Sequence, residues 1–348
     1  MPHVQKRKVM ISLLVVLKAI ATIFFVVGVG VLVGRAKWCP SNLPLAELAL
    51  TVFLPPLSFV AISNVKPSMD LAAIAAFPWV IGLVQLGISW FISRQLPSLD
   101  KATQGAFILS VIAVNSGNFG ISFSKAVFGQ GSPEIEDMVV AMATVYYVSW
   151  CIFIQTVGVF AASVVADEGK HPLKESSKKV ATMPLIYLSL AGLAVNYWKV
   201  PIASYAFLDP ILQGVKMLAV AAVPLMLVSL GIRLSGVRWN YRDTVPLVFA
   251  AGQKLLVAPI LSVIISFIFA MVFGMEILAQ NIAITASSGP TAVQAFALAK
   301  KCGASEDFVK CDVLVTTLLI LITLPVLVVL LTHPNGLQHS GLLAFLAR

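Results

Sequence analysis

The run Asn115-Ser116-Gly117-Asn118-Phe119-Gly120 places two amides, a hydroxyl and two glycines inside an apolar stretch from about Thr103 to Phe128. Glycine weakens a helix, and an amide needs hydrogen-bond partners that hydrocarbon does not offer. Interrupted backbone at membrane depth persists only where protein surrounds it or water reaches it. The stretch is therefore either a packing kink or a binding site. The chemistry such a break offers is anion recognition, through unpaired N–H groups, amide donors and the positive end of a half-helix dipole.

A second copy favours a site. Ser116 to Gly131 lays over Ser288 to Gly303 without a gap, at an offset of 172. Serine and glycine repeat at the break, as Ser116-Gly117 and Ser288-Gly289, and glycine repeats at the far end. Around the second break stand Ser287, Ser288, Gly289, Pro290, Thr291 and Gln294. Pro290 cannot donate to a helix ladder, so it frees a carbonyl one turn upstream. If the two breaks cross, their amides, N–H groups and carbonyls converge on one point. The competing reading is ordinary helix packing, which also uses Ser, Gly and Asn.

Charged residues inside apolar runs are few. Lys254 sits about ten residues into its segment, within Ala250-Ala251-Gly252-Gln253-Lys254. Such a lysine faces a cavity or a partner. It is expected to supply countercharge to a bound anion; its bland reading is a salt bridge to Asp312. Lys18, Lys125, Lys216 and Lys310 lie closer to segment ends, where a long stem reaches the headgroups. No Asp pair and no Glu stands beside either break in the sequence, which argues against a cation antiporter and leaves open a Na⁺ site built from carbonyls. Pro55-Pro56 and Pro224 read as kinks, and Tyr146 and Tyr147 as aromatic packing. The histidines (His3, His171, His333, His339) lie in termini or a loop, and no HExxH or GxSxG occurs. Cys39, Cys151, Cys302 and Cys311 form no CxxC. Catalysis, a metal and a cofactor are therefore not expected.

The elements that would position these residues follow from composition. Of 348 residues, 59% are hydrophobic and only 11% charged, with a mean hydropathy of +0.95. Soluble domains carry about 25% charged residues, so the chain reads as an all-α polytopic membrane protein. At about 20 residues per crossing, ten apolar segments emerge: 10–34, 43–63, 70–93, 104–128, 137–165, 181–198, 208–232, 245–273, 276–299 and 311–332. The first follows Lys6-Arg7-Lys8 and is too long for a signal-peptide core, so it reads as a retained helix. The longest polar interruption, Asp167 to Lys179, divides the chain near its midpoint. The expected organisation is a first repeat over 1–166, a cytoplasmic linker over 167–180 and a second repeat over 181–348.

Two further matches tie the halves together. Glu136-Asp137 answers Glu306-Asp307 at an offset of 170, and Pro56-Leu57 answers Pro224-Leu225 at 168. Five crossings per half is odd, so the second half enters the membrane from the opposite side. The result is an inverted repeat whose broken fourth and ninth helices meet at the midplane, as in many secondary transporters. Lysine and arginine set the orientation. Thirteen, including Arg94, Lys174, Arg233 and Arg238, fall on one side, and six, including Lys6, Arg7 and Lys8, on the other. The positive-inside rule places the thirteen in the cytoplasm and both termini outside. The net charge of +9 is thereby explained by topology, and nucleic acid is not needed.

Together these features resemble the auxin efflux carrier family, the membrane transport proteins that include plant PIN carriers and bacterial malate and malonate permeases. Asn115-Ser116-Gly117-Asn118-Phe119-Gly120-Ile121 is similar to the family's Asn-x-Gly-x-x-Gly-x-Pro, and Pro56, Pro224, Pro290 and Thr323-Leu324-Pro325 fall in the expected helices. The resemblance implies ten helices in two inverted five-helix repeats, a scaffold and a transport domain each drawn from both repeats, and a crossing near Gly117–Ser122 and Pro290. It implies that Asn115 binds a substrate carboxylate. Ser122 departs from the family's proline, which leaves the first break to Gly117 and Gly120.

The expected function is secondary transport, as an efflux carrier or permease in the plasma membrane, of a small organic anion. A mono- or dicarboxylate or an auxin-like weak acid would be held by Asn115, Ser116, Gly117, Asn118, Gly120, Ser288, Gly289, Pro290 and Thr291, with Lys254 as countercharge. H⁺ or Na⁺ stands open as a coupling ion, and a homodimer is allowed. The competitors are a sodium-coupled carrier of the bile-acid type and a membrane sensor that binds an anion without moving it.

Overall fold

The computed structural model describes residues 2–38, 45–65, 67–166, 178, 181–201, 208–237 and 244–332, with side chains from Leu14 onward except those of 46, 47 and 50. The linker expected over 167–180, apart from Lys178, lies outside the described residues, as do Cys39, Arg238, His171, His333 and His339. Among the described residues the fold is all-helical, and the one extended pairing is an isolated bridge.

The helices in chain order are α1 (Pro2–Arg35), α2 (45–64), α3 (Met69–Gln95), α4 (Lys101–Ile112), α5 (116–128), α6 (Pro133–Ala166), α7 (Pro184–Tyr197), α8 (Asp209–Ser235), α9 (Thr244–Phe273), α10 (Ile277–Ser287), α11 (Ala295–Cys302) and α12 (Glu306–Thr332). Capping sets several starts. The Ser68, Asp100 and Ser132 side chains accept N–H groups at the openings of α3, α4 and α6, the usual role of short polar side chains there. Six described helices are long and apolar enough to cross a membrane: Leu14–Arg35 of α1, and α3, α6, α8, α9 and α12. Three apolar helices are shorter: Thr51–Asn64 of α2, α7 and α10. Length alone therefore does not reproduce ten continuous spans: the fourth and ninth segments are each split in two, and the second and sixth carry only shorter apolar helices.

Two sets of helices pack within themselves, and they touch one another where α1 meets α5 and α12 and where α2 meets α6. In one, α1 packs along α8, and α2 packs on both α7 and α8. In the other, α3 packs on α4, α6 and α9, α4 on the end of α6 and on α12, and α10 on α9. Contact between α1 and α8 depends on small residues. A Cβ on Gly30 would stand 2.2 Å from the Val228 carbonyl oxygen, and one on Gly231 would stand 2.0 Å from that of Val27. Backbones approach this closely in membranes only where side chains are absent.

Among the described residues four helices contain a π-helical turn: Ala49–Phe53 in α2, Ser116–Ile121 in α5, Ile154–Gly158 in α6 and Gln253–Val257 in α9. The turn in α2 directly precedes Leu54-Pro55-Pro56, where missing N–H donors loosen the ladder. Such turns are frequent at functional sites.

Candidate functional site

The two interrupted segments meet. Val114 and Thr291 form an antiparallel bridge. The Asn115 N–H donates to the Pro290 carbonyl at 2.8 Å, and the Ala292 N–H donates to the Ala113 carbonyl at 2.8 Å. Each pair satisfies backbone groups that a helix break would leave unmade, which is obligatory away from water. The crossing therefore lies at Ala113–Asn115, upstream of the expected Gly117–Ser122. The first break does not rest on Gly117 and Gly120, which belong to the helical turn after it. Ser122 remains helical and donates its hydroxyl to the Asn118 carbonyl at 2.8 Å. The crossing thus forms without proline at 122.

On one side of the crossing lies a cavity of about 280 Å³. Its wall includes Asn115, Gly117 and Asn118 from the start of α5, and Ala292, Val293 and Gln294 just ahead of α11. The N-terminal ends of two half-helices, one from each half of the chain, thus face a shared space. Such ends carry unpaired N–H groups and about half a positive charge each. Asn115 is 4% exposed, and its Nδ2 has no hydrogen-bond partner. Gly117 is required by close approach: a Cβ there would stand 2.5 Å from the Tyr147 ring, which also lines the cavity. The opposite wall comes from the other helix group, through Thr51, Met183, Met226, Ser229 and Arg233. Three π-helical turns contribute Thr51, Asn118 and Gln155.

The remaining expected residues support the crossing rather than the cavity. The Ser288 hydroxyl is spent on the Ile284 carbonyl at 2.6 Å. Ser116 is buried and, like Gly120, Gly289 and Pro290, stands outside the cavity wall. A Cβ on Gly289 would stand 3.2 Å from Val114, so this glycine serves the bridge. The Thr291 Oγ1 lies 2.7 Å from Asp312 Oδ2 and 3.0 Å from the Ser110 carbonyl, and the Thr291 N–H donates to Thr316 Oγ1 at 3.1 Å. A carboxylate does stand beside the second break, brought there from α12; in the sequence Asp312 was singled out only as a partner for Lys254.

Lys254 is displaced from its expected place. It is 2% exposed, and its Nζ donates to the Val111 carbonyl at 2.7 Å, at the C-terminal end of α4. It borders a separate space of about 20 Å³, shared with Ile112, Ser287 and Gln85, and is absent from the wall of the larger cavity. No Lys254–Asp312 ion pair within 4 Å forms; among the described residues the ion pairs are Lys125–Glu136, Lys310–Glu306 and Lys310–Asp307. The cation on the large cavity's wall is instead Arg233, from the last turns of α8. The sequence signal for it was present but was absorbed by the topological count of basic residues.

The profile of a family described as membrane transport protein matches residues 15–328. The chain belongs to that family. It is also similar to an uncharacterized transporter of Methanothermobacter thermautotrophicus, at 24% identity over 283 residues, which is 81% of this chain and 86% of that protein. The family and the long apolar helices together make the molecule an integral membrane transporter. Within the transporter, Cys151, Cys302 and Cys311 are buried. Lys125 is tied to Glu136 at 2.7 Å at the outer end of α5, a surface ion pair of small energetic weight.

Proposed function

We propose that the transporter moves a small organic anion by alternating access, binding it in the cavity beside the crossing. The observation that carries this reading is the convergence of two half-helix N-termini with Asn115, Asn118, Gln294 and Arg233 on one space of about 280 Å³. Helix N-termini favour negative charge, and an arginine fork matches a carboxylate. Asn115 and Asn118 would donate amide N–H groups to the carboxylate, and Arg233 would supply the countercharge first expected of Lys254. The volume stands at the low end of ligand pockets. It suits a mono- or dicarboxylate better than a steroid-sized acid, and so favours this reading over a carrier of the bile-acid type.

Ten crossings in two inverted five-helix repeats remain the architecture that best accounts for the offset sequence matches and for the crossed pair. On that reading α1, α2, α7 and α8 act as a scaffold, and the other helices move against it as the transport domain. The cavity lies between these groups, and its wall reaches exposed Thr182 and half-buried Arg233. Both belong to the end of the bundle that the positive-inside rule assigns to the cytoplasm, so on this reading the cavity would open inward and both termini would lie outside the cell membrane.

The test is uptake of a panel of radiolabelled organic acids into proteoliposomes, under imposed Na⁺ or pH gradients. Saturable movement of a small carboxylate, with its apparent KM raised in Asn115→Ala, supports the reading. Saturable binding without movement would favour an anion sensor, and absence of any carboxylate binding would end the anion assignment.

A further inference from the structure

Lys254 calls for an explanation once it is removed from the substrate cavity. It rides on the π-helical turn of α9 and points an ammonium into the space behind the crossing. What faces it there is negative. The Val111 carbonyl accepts from it at 2.7 Å at the end of α4, and Ser287, the last residue of α10, borders the same space. A helix C-terminus carries about half a negative charge, so two of them amount to roughly one. Asp312 adds a buried carboxylate close by, since it shares the Thr291 hydroxyl with the carbonyl of Ser110, the residue before Val111. Its Oδ2 is engaged by the Thr291 hydroxyl at 2.7 Å, and its Oδ1 has no hydrogen-bond partner.

Carbonyl ends of broken helices plus a carboxylate form the kind of oxygen-rich place where crossing-helix transporters hold a mobile cation. Here a covalently attached ammonium occupies it. We infer that Lys254 is a tethered cation standing in for a coupling ion. The wild-type molecule has no need of Na⁺ at this place, and removing the amine exposes a seat for an alkali cation formed by the Val111 carbonyl and Asp312. The corollary that transport is independent of Na⁺ rests on the transport reading above. The binding claim does not, because it concerns stability of the folded chain.

The experiment is thermal unfolding of the full-length purified protein in NaCl, KCl or choline chloride at matched ionic strength. The wild type is expected to melt at one temperature in all three. Lys254→Ala is expected to melt lower in choline and to regain on the order of a few degrees, saturably, with Na⁺ or K⁺. Adding Asp312→Asn should abolish that recovery. If Lys254→Ala does not fold, Lys254→Gln, which keeps an N–H for the Val111 carbonyl, takes the same titration. A saturable Na⁺ gain in the wild type, or a Lys254 variant indifferent to alkali ions, would overturn the inference. Uptake then tests the corollary separately: wild-type transport at equal rates in Na⁺ and choline supports it, and Na⁺-dependent transport with ion-indifferent melting would defeat the corollary and leave the substrate reading standing.

Discussion

At the scale of single residues, the polar groups around the crossing divide into those that wait for a guest and those already engaged. Asn115 is buried with an unused amide donor, whereas Ser288 and Thr291 have their hydroxyls committed to the protein. Truncating the first should therefore act on affinity. Asn115→Ala is expected to raise the apparent KM for the transported anion roughly tenfold, the equivalent of about one hydrogen bond to a charged group, with little change in melting temperature. Arg233→Gln should weaken the same anion by at least as much, read as a KM increase that salt cannot restore. Thr291→Val should do the opposite. It leaves the Asp312 carboxylate and the Ser110 carbonyl without their shared donor, costing about 1–3 kcal/mol of stability, measured by unfolding in detergent.

At the scale of elements, the sequence was informative about where helices break and less so about how. The Ser-Gly repeats at 116–117 and 288–289 located both interruptions to within a few residues, because glycine, asparagine and proline are costly in an apolar helix. The actual discontinuity at Ala113–Asn115 falls on residues with no special backbone character. It is set by pairing with the other segment, which a linear reading does not contain. The same limit explains Lys254 and Asp312. Their depth was legible from spacing, but the direction each side chain takes depends on the π-helical turn at Gln253–Val257 and on the packing of α12. Close contact between α1 and α8 was not anticipated at all, since glycines 200 residues apart carry no mutual signal. It yields a prediction at this scale: Gly231→Ala, whose Cβ would stand 2.0 Å from the Val27 carbonyl oxygen, should cost about 1–3 kcal/mol by forcing the helices apart. Gly214→Ala, on the same helix with nothing within 4 Å, should be neutral in the same melting assay.

At the scale of the whole molecule, composition alone placed the chain in the membrane, and the family match agrees with it. That each helix group draws on both halves of the chain came only from the family resemblance, since residue spacing alone carries no record of which helices pack together. If they move against one another, the cavity must be reachable from one side at a time. A cysteine at Gln294, in a background without native cysteines, should react with a membrane-impermeant thiol reagent from the Arg233 end of the bundle. Substrate should slow that reaction, and equal labelling from both faces would contradict a single-sided opening.

The bridge between Val114 and Thr291 has a consequence for how this protein can vary. It uses two amide hydrogens, at 115 and 292, and two carbonyls, at 113 and 290. Pro290 sits in an acceptor position, where the lack of an N–H does no harm. Drift in side-chain identity along the junction can therefore leave the stitch intact, with one chemical prohibition: an imino acid at 115 or 292 would unpick it. A proline scan of 113–115 and 290–292 should find those two positions alone intolerant on account of the bridge.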